Sequence, residues 1–136
     1  MRGMTITRVA RALAMVFAAG ALTISMPARA ANELDGKTFT GTIGEKGKTE
    51  GTPDEFIFAG GKFRSTTCDK YGFKPADYTA VTEGGVTAFE VSATSDKEGE
   101  NHWAGRVVGD EIEGTFLWKK PGQDAVEYWF KGTLKK

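Results

Sequence analysis

From Thr38 to Leu134 apolar and polar residues alternate with a period of two, and glycines punctuate the alternation. Successive side chains on a strand point to opposite faces, so this period selects half-buried strands. No helical stripe of 12 residues interrupts it. The pattern predicts eight strands, near 38–44, 54–59, 62–67, 78–83, 86–94, 101–108, 111–119 and 125–134. The expected fold class is all-β, an eight-stranded antiparallel up-and-down meander.

The connections add the third dimension. Gly60-Gly61, Gly84-Gly85 and Gly109-Asp110 suit two-residue hairpin turns, because glycine tolerates the positive φ those turns need. The intervening connections, 45–53, 68–77, 95–100 and 120–124, are longer. Short and long alternate strictly, and in a meander alternate connections share one end. Tight turns therefore gather at a base, and long loops rim a mouth.

A repeated motif argues for closure. Phe39-Thr40-Gly41-Thr42-Ile43, Trp103-Ala104-Gly105-Arg106-Val107, Ile112-Glu113-Gly114-Thr115-Phe116 and Phe130-Lys131-Gly132-Thr133-Leu134 all read apolar-x-Gly-x-apolar. A mid-strand glycine weakens a strand unless it serves a bend or a close approach. Strongly coiled sheets use such glycines to curve. The first and last strands carry the two closest copies, as expected if they pair and close a barrel with no exposed edge.

The N-terminus points to export. Arg2, Arg8 and Arg11 precede an apolar run of 13 residues, Ala12 to Ile24, and Ala28-Arg29-Ala30 offers small residues for a signal peptidase. The run is short for a membrane span, and no later run approaches the ~20 residues a span needs. Cleavage is expected after Ala30, leaving residues 31–136 as one domain in a periplasm or outside the cell. Removing Arg2, Arg8, Arg11 and Arg29 from 18 basic residues leaves 14 against 18 acidic ones, a net charge of −4. That balance argues against a nucleic-acid partner, which favours a basic surface. One cysteine, Cys68, excludes an intramolecular disulfide and a cysteine-rich zinc site.

The inward face gathers Phe56, Phe58, Phe63, Phe89, Val91, Trp103, Val107, Ile112, Phe116, Trp118, Val126, Tyr128, Phe130 and Leu134. Such an interior is either filled by its own side chains or leaves room for a ligand, with glycines 41, 105, 114 and 132 giving volume back. Mouth loops on a rigid scaffold are favoured binding positions. Tyr71, Phe73 and Tyr78 give the 68–78 segment an aromatic lining, and Trp103, Trp118 and Tyr128 have polar tips that orient a ligand. Lys46, Lys48, Lys97, Lys119 and Lys120 would rim the same end and steer a small anion.

Val108, Leu117 and Trp129 face outward on the last three strands, a candidate partner surface. Cys68 is either a small buried apolar residue or a thiol for redox chemistry or an intermolecular disulfide. His102, the one histidine, falls on the face opposite Trp103, away from Cys68, so no Cys–His dyad is expected. Nor does it find the companion ligands a metal needs. Asp54, Glu55, Glu98, Glu100, Asp110, Glu111 and Glu113 read as solvated turn or outward carboxylates. No catalytic motif or cofactor signature is present, and a non-enzymatic protein is expected.

Eight strands in meander order, with alternating loop lengths, resemble the calycin-like barrels: lipocalins, fatty-acid-binding proteins and the avidin group. The resemblance spans residues 31–136 and is architectural. Gly36-Lys37-Thr38-Phe39 stands where lipocalins and avidins carry Gly-x-Trp, so no binding residue is carried across. It implies a carrier of a small apolar or anionic molecule. The chain also resembles small secreted bacterial barrels that inhibit lysozymes or proteases, which implies the alternative of a periplasmic protein partner.

Overall fold

The computed structural model describes residues 33–136; the expected leader, residues 1–30, lies outside them. The alternating segments form β1 (Thr38–Glu45), β2 (Thr52–Ala59), β3 (Lys62–Ser65), β4 (Ala76–Glu83), β5 (Val86–Ser95), β6 (Gly99–Val108), β7 (Glu111–Lys119) and β8 (Val126–Leu134). A single helical turn, α1 (Thr66–Asp69), follows β3. Each strand pairs antiparallel with the next, and β8 returns to β1 to close an eight-stranded barrel. The three tight turns are where the glycines placed them. Gly60 and Gly61 take φ of 62° and 78°, the left-handed region that a two-residue turn demands.

The repeated glycines sit in register across strands. Gly41 pairs with Gly132 at the β1–β8 seam, and Gly105 pairs with Gly114 between β6 and β7. A Cβ on Gly132 would lie 2.6 Å from the Thr40 carbonyl oxygen. Backbone of the partner strand therefore occupies the space a side chain would need. On Gly105 a Cβ would lie 2.6 Å from the Phe130 ring and 2.9 Å from that of Phe89. A Cβ on Gly114 would likewise lie 2.8 Å from the Phe130 ring, so the volume released by Gly105 and Gly114 goes to phenylalanine rings.

Those rings fill the barrel. Phe58 makes edge or tilted contacts with Phe39, Phe63, Tyr78 and Phe89, at centroid distances of 5.0 to 6.2 Å. Trp103 stacks on Phe116 at 4.1 Å, and Phe116 stacks on Tyr128 at 4.7 Å. Aromatic pairs in such geometry contribute about 0.5–1.5 kcal/mol beyond their buried area. The three-ring stack runs from the core towards the mouth.

The base is sealed by the segment before β1. Leu34 is buried, and its N–H donates to the Tyr78 hydroxyl at 2.9 Å. That hydroxyl donates to Asp35 at 2.9 Å, and Asp35 accepts from the Gly61 N–H at 2.9 Å. Burial first, then the Asp35 hydrogen bond, pushes the Tyr78 phenol up to about 12.

Strand boundaries differ from the sequence pattern by one or two residues, and three of these places bear on the ends of the barrel. β3 stops at Ser65 instead of reaching 67, because Ser65 caps α1 by accepting the Cys68 N–H. β4 begins at Ala76 and meets β3 only at Lys62 and Phe63, so strand stagger carries Tyr78 to the level of the Gly61 turn. The β5–β6 connection shrinks to residues 96–98, because Ser95 Oγ accepts from the N–H groups of Lys97 and Glu98.

Candidate functional site

At the mouth the barrel leaves a pocket of about 590 Å³. Its apolar wall is made of Ile43, Phe73 and Phe116 with the amphipathic rings of Tyr71, Trp118 and Tyr128. Four of the six residues the sequence nominated for a ligand meet there: Tyr71, Phe73, Trp118 and Tyr128. The other two do not. Trp103 is 2% exposed, stacked on Phe116 and in T-shaped contact with Phe56, Phe63 and Phe130. Tyr78 closes the base, at the opposite end, for the stagger reason given above. Tyr71 stands 55% exposed on the rim, whereas Phe73 is buried beneath it.

The loop that carries Tyr71 and Phe73 is fixed by polar contacts. β4 stops short of the mouth, so residues 70–75 cross the gap beside β5. The Lys74 N–H donates to the Thr94 carbonyl at 3.2 Å, and Ser95 Oγ donates to the Tyr71 carbonyl at 2.8 Å. Trp118 is oriented by its indole N–H, which donates to the Glu98 carbonyl at 2.6 Å. Burial raises the Tyr128 phenol above its ordinary value, with nearby Glu45 adding to the effect.

Beneath the aromatic wall lies a polar floor. Asp54 is buried, not a solvated turn carboxylate as its position in the sequence suggested. It accepts from the Ser65 hydroxyl at 2.5 Å, the Thr66 hydroxyl at 3.1 Å and the Thr67 N–H at 2.9 Å. This ties β2 to α1 and sets Cys68 facing the pocket. Asn101, 2% exposed on β6, also lines the pocket and donates through Nδ2 to Cys68 Sγ at 3.5 Å. Its Oδ1 is buried and takes no hydrogen bond among the described residues. Pattern reading missed Asn101, although its inward parity on β6 was visible.

Of the two alternatives for Cys68, its placement matches the small buried residue. It is 8% exposed, and burial pushes its thiol up to about 11, partly offset by the Ser65 hydrogen bond. A protonated, covered thiol is a poor nucleophile. His102 faces outward, 3.0 Å from Ser92 Oγ and 2.7 Å from Glu100, and so stands apart from Cys68.

The expected lysine rim is largely spent on carboxylates. Lys46 pairs with Glu127 at 3.6 Å, Lys48 with Glu45 at 3.3 Å and Lys120 with Glu98 at 3.3 Å. The charged side chains that line the pocket itself are Glu45, Glu50, Glu98 and Lys48.

The outward patch also changes. Val108 pairs with Glu111 at the base end of β7, whereas Leu117 lies six residues further along that strand. At a strand rise of about 3.3 Å per residue the two are roughly 20 Å apart. Trp129 turns to the β1–β2 loop, its indole N–H donating to the Lys48 carbonyl at 2.9 Å. Its ring occupies the space beside Gly44 and Gly51. Val108 thus stands apart from the other two, while Leu117, opposite Glu127 on β8, is a diagonal neighbour of Trp129.

No protein family, curated protein or solved structure matches this chain.

Proposed function

We propose that this is an exported, non-enzymatic binding protein that holds a small, partly apolar molecule at the mouth of its barrel, in a periplasm or outside the cell. The observation that carries this reading is the 590 Å³ pocket, walled by aromatic rings and set at the loop-rimmed end of a filled barrel. Its size falls within the range of about 300–1,000 Å³ typical of small-molecule sites. The Trp118 ring is held by its hydrogen bond to the Glu98 carbonyl and Tyr128 by stacking on Phe116, so little of their order is lost on binding. Export rests on the basic, apolar and small-residue segments of residues 1–30.

Native mass spectrometry of the chain exported from a bacterial host, without reductant, tests the reading. A discrete added mass that is lost on denaturation, and absent from Trp118→Ala and Tyr128→Ala, is the expected result. A bare chain mass, together with a melting temperature that millimolar 2-phenylethanol does not raise, overturns it. In that case a protein partner takes its place.

A further inference from the structure

The geometry points to an organic ammonium as the ligand class: a single positive, hydrogen-bond-donating head on a small apolar body. This rests on the mouth-binding reading and narrows it. The expectation from the sequence, that rim lysines would attract an anion, is replaced.

The groups offered by the pocket converge on one kind of partner. Two of its donors are already used: the Trp118 indole N–H is held by the Glu98 carbonyl, and Asn101 Nδ2 donates to Cys68. Among the charged groups, three carboxylates, Glu45, Glu50 and Glu98, face one lysine, Lys48. Asn101 lines the pocket, and its Oδ1 is a buried carbonyl oxygen that takes no hydrogen bond among the described residues. Leaving such an acceptor unmade costs far more than a typical hydrogen bond returns, so a donor brought to it is strongly favoured. Tyr71, Trp118 and Tyr128 line the pocket with electron-rich rings, the kind of group that attracts an ammonium. Finally, Glu50 lines the pocket and forms no ion pair among the described residues, whereas Glu45 and Glu98 are each matched by a lysine.

An anionic head would meet the reverse. It would face the carboxylates of Glu45, Glu50 and Glu98 and the Asn101 carbonyl, with Lys48 as the one lining cation to compensate its lost hydration. A neutral alcohol satisfies Asn101 Oδ1 but gains nothing from Glu50. Affinity should therefore run ammonium above alcohol above carboxylate for one shared body.

Three probes of matched shape make the test: phenethylammonium, 2-phenylethanol and 3-phenylpropanoate, each titrated into the full exported chain by calorimetry or amide chemical shift. Phenethylammonium should bind about tenfold tighter than 3-phenylpropanoate, with 2-phenylethanol between them. High salt should narrow the gap, because Glu50 is exposed. Glu50→Gln, a change on an exposed loop, should weaken phenethylammonium about threefold and leave 2-phenylethanol unchanged. Asn101→Leu should weaken both donor-bearing probes about fivefold and spare the carboxylate. Equal binding of all three probes, or preference for the carboxylate, overturns the ammonium assignment while leaving the mouth pocket in place. Binding of none of them overturns both. An ordered water held on Asn101 Oδ1 in the complex with phenethylammonium also overturns the role given to that oxygen.

Discussion

Gly132→Ala probes the seam that closes the barrel. The new methyl would meet the Thr40 carbonyl oxygen at 2.6 Å, the Thr40 carbonyl carbon at 3.0 Å and the Gly41 Cα at 3.1 Å. Carbon atoms pack comfortably at about 3.5–4.0 Å, so β1 and β8 must part by most of an ångström. The obstacle is backbone on both sides, and no rotamer change relieves it. Overpacking of this kind costs about 1–3 kcal/mol, and one weakened ladder hydrogen bond adds about 1. Replacing glycine also restricts the unfolded chain, which returns about 0.4–1 kcal/mol. A net loss of about 2–3 kcal/mol corresponds to roughly 8–24 °C in melting temperature for a domain of this size. Circular dichroism melts measure that shift, and hydrogen exchange should show lost protection concentrated in 39–45 and 128–134. Gly47→Ala is the control: its methyl meets nothing within 4 Å, although φ of 91° strains the backbone. If Gly132→Ala melts no lower than Gly47→Ala, the close approach of β1 and β8 is not what the seam needs, and the closure argument fails.

Three further outcomes follow from named contacts. Tyr78→Phe strands the buried Leu34 N–H and frees Asp35, so chemical denaturation should show a loss of about 1–3 kcal/mol with faster exchange at the Gly61 turn; an unchanged midpoint refutes the base seal. Stability should fall with alkali in two stages. The Cys68 thiol ionises near 9.0 when unfolded and about 11 when folded, so above pH 9.0 the unfolded state releases a proton that the folded state keeps, and stability drains away between those values. Tyr78 extends the loss above its ordinary value of 10.0 towards about 12. In Cys68→Ala the first stage should vanish in denaturant titrations run from pH 8 to about 11; persistence of that stage removes Cys68 as its source. Trp129→Phe keeps the ring but drops the hydrogen bond to Lys48, so amide exchange in 46–51 should quicken with no change of mass in solution. A shift in oligomeric mass would instead return Trp129 to a partner surface.

The sequence by itself determined the strands, their order and the two ends of the barrel. Those features are local or periodic: a period of two selects strands, a glycine pair selects a turn, and parity along a meander assigns each turn to an end. Even the seam was legible, because apolar-x-Gly-x-apolar in the first and last strands places Gly41 opposite Gly132. What needed tertiary structure was everything set by stagger and by contacts distant in sequence. Tyr78 and Tyr71 stand seven residues apart, yet one seals the base and the other rims the mouth, because β4 meets β3 over only two residue pairs. Asp54 looked like a turn carboxylate until Ser65, Thr66 and Thr67 folded over it. The glycines at 105 and 114 predicted space, but only the packed rings of Phe89 and Phe130 decided who fills it. Asn101 had an inward parity that any strand reading gives; that its carbonyl oxygen takes no hydrogen bond among the described residues depends on β6 and α1 meeting at Cys68. Periodicity is written along the chain, whereas the pairing of a donor with an acceptor is decided where the chain returns to itself.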